Sequence, residues 1–120
     1  MDISKAIAAM KKDPGFTENV GMILVHNGVV RAWSRHGDKD VKAVEVSPDV
    51  MKLDELRCEF EKRPGIYRVL IEAKSGRLEP GDDLLFLVVA GDIREHVKPA
   101  LAELLDRVKS EAISKEELFA

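Results

Sequence analysis

The sequence predicts an α+β fold, a single domain over residues 1–120 with a mostly antiparallel sheet and helices packed on it. Two observations lead there. Short apolar runs rich in Val, Ile and Leu are set off by Gly, Pro and Asp, the pattern of strands and turns. Other segments repeat apolar residues at the spacing of one helix face, and the two kinds follow one another as helix, two strands, strand, helix, two strands, helix.

Residues 2–12 read as an amphipathic helix, with Ile3, Ile7 and Met10 at helical spacing, closed by Asp13-Pro14-Gly15. Gly21 to Val25 is short and apolar, a buried strand. His26-Asn27-Gly28 follows as a turn or bulge, because Asn-Gly tolerates positive φ, and Val29 to Trp33 resumes as a second strand. His36-Gly37-Asp38-Lys39-Asp40 is a polar loop, expected to be the most flexible segment. Val41 to Val46 alternates apolar and polar residues, which predicts a half-exposed strand. Ser47-Pro48-Asp49 starts a helix running to about Lys62, with Leu53, Leu56 and Phe60 inward, and Pro64-Gly65 closes it.

Tyr67 to Ala73 is a further strand. Leu84 to Ala90 is the most apolar run and the predicted centre of the sheet, with Gly81-Asp82 in the turn before it. A last helix over roughly 94–112 carries Val97, Leu101, Leu104, Leu105 and Val108 as its core stripe. Its start is open: Asp92 and Glu95 fit a capping box, whereas Pro99 fits a first turn beginning near Lys98.

At 120 residues and 45% apolar, the chain can bury a core of its own. No apolar run approaches the length of a membrane span, and the first residues lack the basic and apolar regions of a secretory signal. Cys58 is the only cysteine, so no internal disulfide is expected and a cytoplasmic setting follows. Nineteen Lys and Arg against 22 Asp and Glu give a net charge of -3, which argues against nonspecific nucleic-acid binding but not against a small anion held by clustered cations. His26, His36 and His96 are far apart and have no cysteine partners at ligand spacing, so no metal is predicted. Phosphate-loop, dinucleotide and Ser/His/Asp patterns are absent, and no cofactor is expected.

Three stretches carry a resemblance. Asp13-Pro14-Gly15 leads through an apolar strand to Gly28-Val29-Val30-Arg31. Gly76-Arg77-Leu78-Glu79-Pro80-Gly81-Asp82 precedes the most apolar strand. Arg94 is followed by a helix ending in Leu105-Asp106-Arg107-Val108-Lys109, then Lys115-Glu116. In order and spacing, over about residues 3–117, these resemble the large, catalytic subunit of molybdopterin synthase, with its Gly-x-Val-Arg, Gly-x-Leu-x-Pro-Gly-Asp and lysine-bearing segments. The departures lie near the family's site. Ile93-Arg94 stands for His-Arg, Ala73-Lys74 for another His-Arg, and Ala112-Ile113-Ser114-Lys115 for a segment with Pro-x-Trp-Lys. The family's further tail has no counterpart before Ala120.

The resemblance implies a hammerhead-like α+β fold and a sulfurtransferase. A small ubiquitin-like carrier would insert its C-terminal thiocarboxylate and deliver sulfur to cyclic pyranopterin monophosphate, twice, to make molybdopterin. It implies a homodimer of this chain within a heterotetramer, and needs no cysteine here. Lys109 is then the residue beside the carrier tail and reacting centre, and Lys115 a second catalytic lysine for substrate binding or proton transfer. Arg31 and Arg94 become phosphate or pterin contacts, since a guanidinium fork suits phosphate. Fixed cations in a partly dry pocket would stabilise the anions of such a reaction. The bland alternatives are a solvated helix-end lysine for Lys109, a frayed tail for Lys115, a strand-end arginine for Arg31 and a surface pair with Glu95 or Asp92 for Arg94. A relative that keeps the fold and binds the carrier without turnover is the alternative function.

Overall fold

The computed structural model describes residues 1–35, 37 and 39–120. The predicted flexible loop therefore falls partly on His36 and Asp38, outside the described residues. Helix α1 (Ile3–Met10) starts at Asp2, whose carboxylate accepts a bond from the Lys5 N–H at 3.0 Å and satisfies one free donor of the first turn. A four-residue helix α2 (Phe16–Asn19), which no sequence signal announced, leads into the first strand.

Strand β1 (Met22–Val29) runs longer than the sequence predicted. It pairs antiparallel with β5 (Asp83–Gly91) from Met22 opposite Gly91 to Val29 opposite Asp83, so His26-Asn27-Gly28 is strand and not a turn. The bulge half of that expectation is present as a register shift between Gly28 and Val29. Cross-strand pairing overrides the Asn-Gly turn preference, and Asn27 Nδ2 donates to Asp83 Oδ1 at 3.1 Å. The expected second strand over Val29–Trp33 does not form. The chain leaves the sheet there, buries Val30, and makes only a single bridge between Trp33 and Asp40.

β3 (Ile66–Ala73) pairs with the other edge of β5, giving a sheet in the order β1-β5-β3. As expected, β5 is central: every residue from Leu85 to Gly91 is buried. A second sheet has the order β4-β2-β6, built from β4 (Gly76–Leu78), β2 (Val41–Pro48) and β6 (Ile113–Phe119). All pairings are antiparallel, but the one sheet of the prediction is two. In β2 the alternation is as predicted, with Lys42 and Glu45 exposed and Val41, Ala43, Val44 and Val46 buried.

Helix α3 (Val50–Glu61) is capped by Asp49, which accepts from the Lys52 N–H at 3.1 Å, and it buries the predicted Leu53, Leu56 and Phe60. Helix α4 (Arg94–Arg107) begins after Ile93. Asp92 bonds the Ile93 N–H and His96 Nδ1 rather than forming a capping box with Glu95. Pro99 is tolerated in the body of the helix because the bond it forgoes would have gone to the exposed first turn. The helix stops at Arg107, short of the predicted 112, and the chain continues as a π-helical turn, Val108–Ala112, directly into β6. Phe60, Leu56, Leu104, Val97 and Val108 fill the space between the helices and the first sheet. No helix among the described residues is long and apolar enough to cross a membrane.

Candidate functional site

Arg31 emerges at a point the backbone fixes on both sides. The buried Val30 before it donates its N–H to the Asp82 carbonyl at 2.9 Å and accepts from the Gly81 N–H at 2.9 Å. That partner is the Pro-Gly-Asp turn, itself closed by Asp82 Oδ2 accepting from the Glu79 N–H at 2.8 Å. Gly81 in the turn and Gly76 at the start of β4 adopt φ of 95° and 88°, a region that side chains other than glycine strain to reach, so the backbone requires glycine at both positions. Two sequence motifs 50 residues apart thus act together to hold one arginine.

Lys109 is presented differently. The π-helical turn widens the end of the last helix while Val108 and Ala112 stay buried beneath it, so the turn is anchored and Lys109 faces outward from it. The end of the turn is tied to the cap of α3, with the Asp49 N–H donating to the Ala112 carbonyl at 2.7 Å. Such single wide turns recur where a helix must redirect a side chain. Lys115 sits on β6 opposite Val46. Residues two apart on a strand share a face, which puts Ile113, Lys115 and Glu117 in one row.

These elements enclose a cleft of about 270 Å³ lined by Arg31, Arg35, Lys109, Ile113, Lys115 and Glu117. Four cations face one carboxylate there, and Glu117 also accepts from Ser34 Oγ at 3.3 Å. The effect is legible in Lys115, whose ammonium is pushed below the ordinary lysine range. Loss of solvent around it is the first cause, the charges of Arg31 and Lys109 add to it, and Glu117 opposes it. Although the side chain as a whole is exposed, its charged end is crowded. Such a site attracts an anion with several oxygens, since each bound negative charge relieves the mutual repulsion of the cations.

Of the four residues singled out from the sequence, Arg31, Lys109 and Lys115 come together. Arg94 does not. It is exposed at the start of α4, pairs with Glu95 at 3.3 Å and is not among the residues lining the cleft. His96, two residues on, is held by Asp92 at 2.8 Å beside Gly65 and is not in the cleft either. Cys58 lies on α3 and does not line it. No cluster of His, Cys, Asp and Glu suited to a metal occurs among the described residues.

Sequence reasoning missed Arg35 and His26. Arg35 had no pattern to mark it. His26 was weighed only as a metal ligand, yet on β1 it takes an inward position, alternating with Val25 and Asn27, which are exposed. Its Nε2 is buried with no hydrogen-bond partner among the described residues. Burial first, then the charge of Lys109, lowers its pKa. Extending the period-two pattern of β1 through Asn27-Gly28 would have placed it inside.

A second hollow of about 280 Å³ lies between α3 and β3, but its charged residues are already matched: Arg57 bonds Asp54 and Glu61, and Glu72 bonds the chain's own amino terminus. It has no surplus charge to offer an anion.

An α+β domain with a cationic cleft between a glycine-set turn, a helix end and a strand has the chemistry to receive an anion. Comparison with known proteins gives the family. The model of the MoaE protein family matches residues 1–111, and the chain belongs to that family, the large subunit of molybdopterin synthase. A probable molybdopterin synthase of Haloferax volcanii is 31% identical over 95 residues, which are 76% of this chain and 36% of the relative, so the chain spans about a third of that protein's length. Among solved structures, a molybdopterin cofactor biosynthesis protein E of Burkholderia multivorans matches with a TM-score of 0.74 at 24% identity, over 100% of this chain and 85% of the other. Molybdopterin synthase of Staphylococcus aureus matches at 0.73 and 23%, over 84% and 76%. A complex of subunits 1 and 2 of the Helicobacter pylori molybdopterin-converting factor matches at 0.72 and 17%, over 99% and 80%. At these identities the structures establish the shared fold.

Proposed function

We propose that this chain is the sulfur-transferring subunit of a molybdopterin synthase. It would take sulfur from the C-terminal thiocarboxylate of a small ubiquitin-like carrier and pass it to cyclic pyranopterin monophosphate. The observation that carries this reading is the convergence of Arg31, Arg35, Lys109 and Lys115 on one cleft with a single carboxylate. Both proposed reactants are anions, and sulfur transfer between them develops more negative charge. Cations fixed in place by the fold stabilise that charge without having to reorganise.

In this reading Arg31 holds the phosphate, its fork donating two bonds. Lys109, on the anchored π-helical turn, lies beside the carrier tail and the reacting centre. Lys115, with its lowered pKa, is the group best suited to give and take a proton as charge moves. The carrier is the partner, in line with the two-subunit Helicobacter pylori complex, and the assembly is a dimer of this chain with a carrier at each end.

Single-turnover conversion of the cyclic pterin by the purified protein with a thiocarboxylated carrier tests this, run beside Lys109→Ala. Product in the wild type and at least a hundredfold less in the variant is the expected result. Carrier binding without product would instead favour a relative that has kept only the docking function, the reading that Ile93 at the family's histidine position and the surface pairing of Arg94 would then support.

A further inference from the structure

Trp33 is the only tryptophan of the chain, and it is left 58% exposed. Exposing so large an apolar surface forgoes burial that would otherwise stabilise the fold, so its placement calls for a reason. Three features define that placement. The ring lies against the Arg31 guanidinium, 4.8 Å from it to the centroid, and Arg31 lines the cationic cleft. The backbone around it is fastened: Trp33 bridges Asp40, the Ala32 carbonyl accepts from the Val41 N–H at 2.9 Å, and the Ser34 N–H donates to the Lys39 carbonyl at 3.2 Å. Ser34, the next residue, donates to Glu117, which also lines the cleft. The indole therefore stands on a fastened backbone beside the cationic cleft, backed on one side by a guanidinium that lines it.

A cleft of cations with a tryptophan at its edge suits a ligand that is both an anion and a flat heterocycle. Phosphate alone would use the cations and leave the ring idle. We propose that Trp33 is the stacking platform for the fused ring system of the substrate, while Arg31, Lys109 and Lys115 take its phosphate. This rests on the function proposed above and assigns the recognition of the heterocycle, as distinct from its phosphate, to one residue. Stacking of a base on an aromatic side chain is strong enough for its removal to weaken binding by about ten- to a hundredfold. The guanidinium behind the indole also fixes the ring's orientation.

The test is calorimetric titration of the full chain with cyclic pterin monophosphate, with inorganic phosphate and with an unphosphorylated pterin, for wild type, Trp33→Phe and Trp33→Ala. Thermal unfolding of each variant checks that the fold is kept. The expected result is a Kd about ten- to a hundredfold weaker for the pterin monophosphate in Trp33→Ala, largely restored in Trp33→Phe. Phosphate affinity should stay unchanged, and in turnover KM should rise with kcat held. Saturable quenching of the single tryptophan by the pterins, and not by phosphate, is the matching spectroscopic signature. Unchanged pterin affinity in Trp33→Ala overturns the proposal while leaving the sulfurtransferase reading intact. So does a loss confined to carrier binding, which would make Trp33 a protein-docking residue. A wild-type protein that binds phosphate but no pterin monophosphate sinks the functional reading itself, and the platform with it.

Discussion

The two sheets handle charge in opposite ways. Around β1-β5-β3 and its helices, cations are met by carboxylates: Arg68 by Asp13, Arg57 by Asp54 and Glu61, Arg63 by Glu103, and Arg107 by Glu59 and Glu111. Beneath these pairs the core is dry and apolar, from Phe60 and Leu56 to Val89. At the margin of β4-β2-β6, Arg31, Arg35, Lys109 and Lys115 gather around one carboxylate, and Lys115 titrates below the ordinary lysine range, first through loss of solvent and then through the charges of Arg31 and Lys109. The first region supplies stability. The second keeps like charges together around the single carboxylate of Glu117, an arrangement that a bound anion would relieve further. The two regions meet at the π-helical turn, where Val108 and Ala112 belong to the core of the first while Lys109 between them lines the cleft.

Five measurements would break or sharpen this contrast, beginning with the greatest effect. Phe60→Ala removes a fully buried ring that also lies beneath the guanidinium groups of Arg63 and Arg107. Denaturant unfolding should register a loss of about 3–5 kcal/mol. A loss under about 1 kcal/mol would mean that the core is not concentrated where the packing places it. Lys109→Ala should do the reverse, leaving the unfolding midpoint nearly unchanged while removing about a hundredfold of sulfur-transfer rate, or about 2.7 kcal/mol. If stability falls as far as activity, the two regions are not separable.

Next in size is anion linkage. Phosphate at a hundred times its Kd should stabilise the wild type by about 2.7 kcal/mol. The gain should shrink as salt is added and be largely lost in Arg31→Gln. Lys115→Gln supplies the pH arm of the same idea. Because folding lowers the Lys115 pKa below 10.5, the charged form is disfavoured in the native state. The variant should therefore be the more stable at neutral pH. Its advantage should fade as pH rises past the native pKa towards 10.5, where the wild-type lysine becomes neutral in both states. Thermal melts across that range decide it, and a constant difference would mean that no titration is involved.

The smallest effect belongs to the paired region. Glu111 is held at about 2, first by its bonds to Arg107. Its folded pKa lies below the unfolded 4.5, so its contribution is present above 4.5 and is lost as pH falls towards 2. Arg107→Gln should thus unfold more easily than wild type at neutral pH, with the two curves meeting under acid. Because this pair lies at the surface within reach of solvent, the difference should be small and fade with salt.

Much of the first region was legible in the sequence. β5 and α3 were read close to their observed bounds because burial imposes unbroken apolar runs or a 3.6-residue period, and both are visible in one dimension. β2 in the second sheet was equally plain for the same reason. β4 and β6 were not. Ile113-Ser-Lys-Glu-Glu-Leu-Phe119 is polar and weak in strand formers, and it is extended only because β2 offers it a partner from Val41 to Pro48. The strand continuing through His26-Asn27-Gly28 was hidden in the same way, since the pairing energy comes from β5 and not from those residues.

By itself the sequence determined the α+β class, the inward faces of the helices and central strand, and the glycine turn, because each depends on contacts between near neighbours. Through the family resemblance of the segments that carry them, it also marked Arg31, Arg94, Lys109 and Lys115. Only the tertiary structure decided that Arg31, Lys109 and Lys115 share a cleft with Arg35 and that Arg94 stays outside it. It alone set Trp33 against Arg31. Charge clusters are made by which elements the core brings edge to edge, and that depends on packing between residues far apart in the chain.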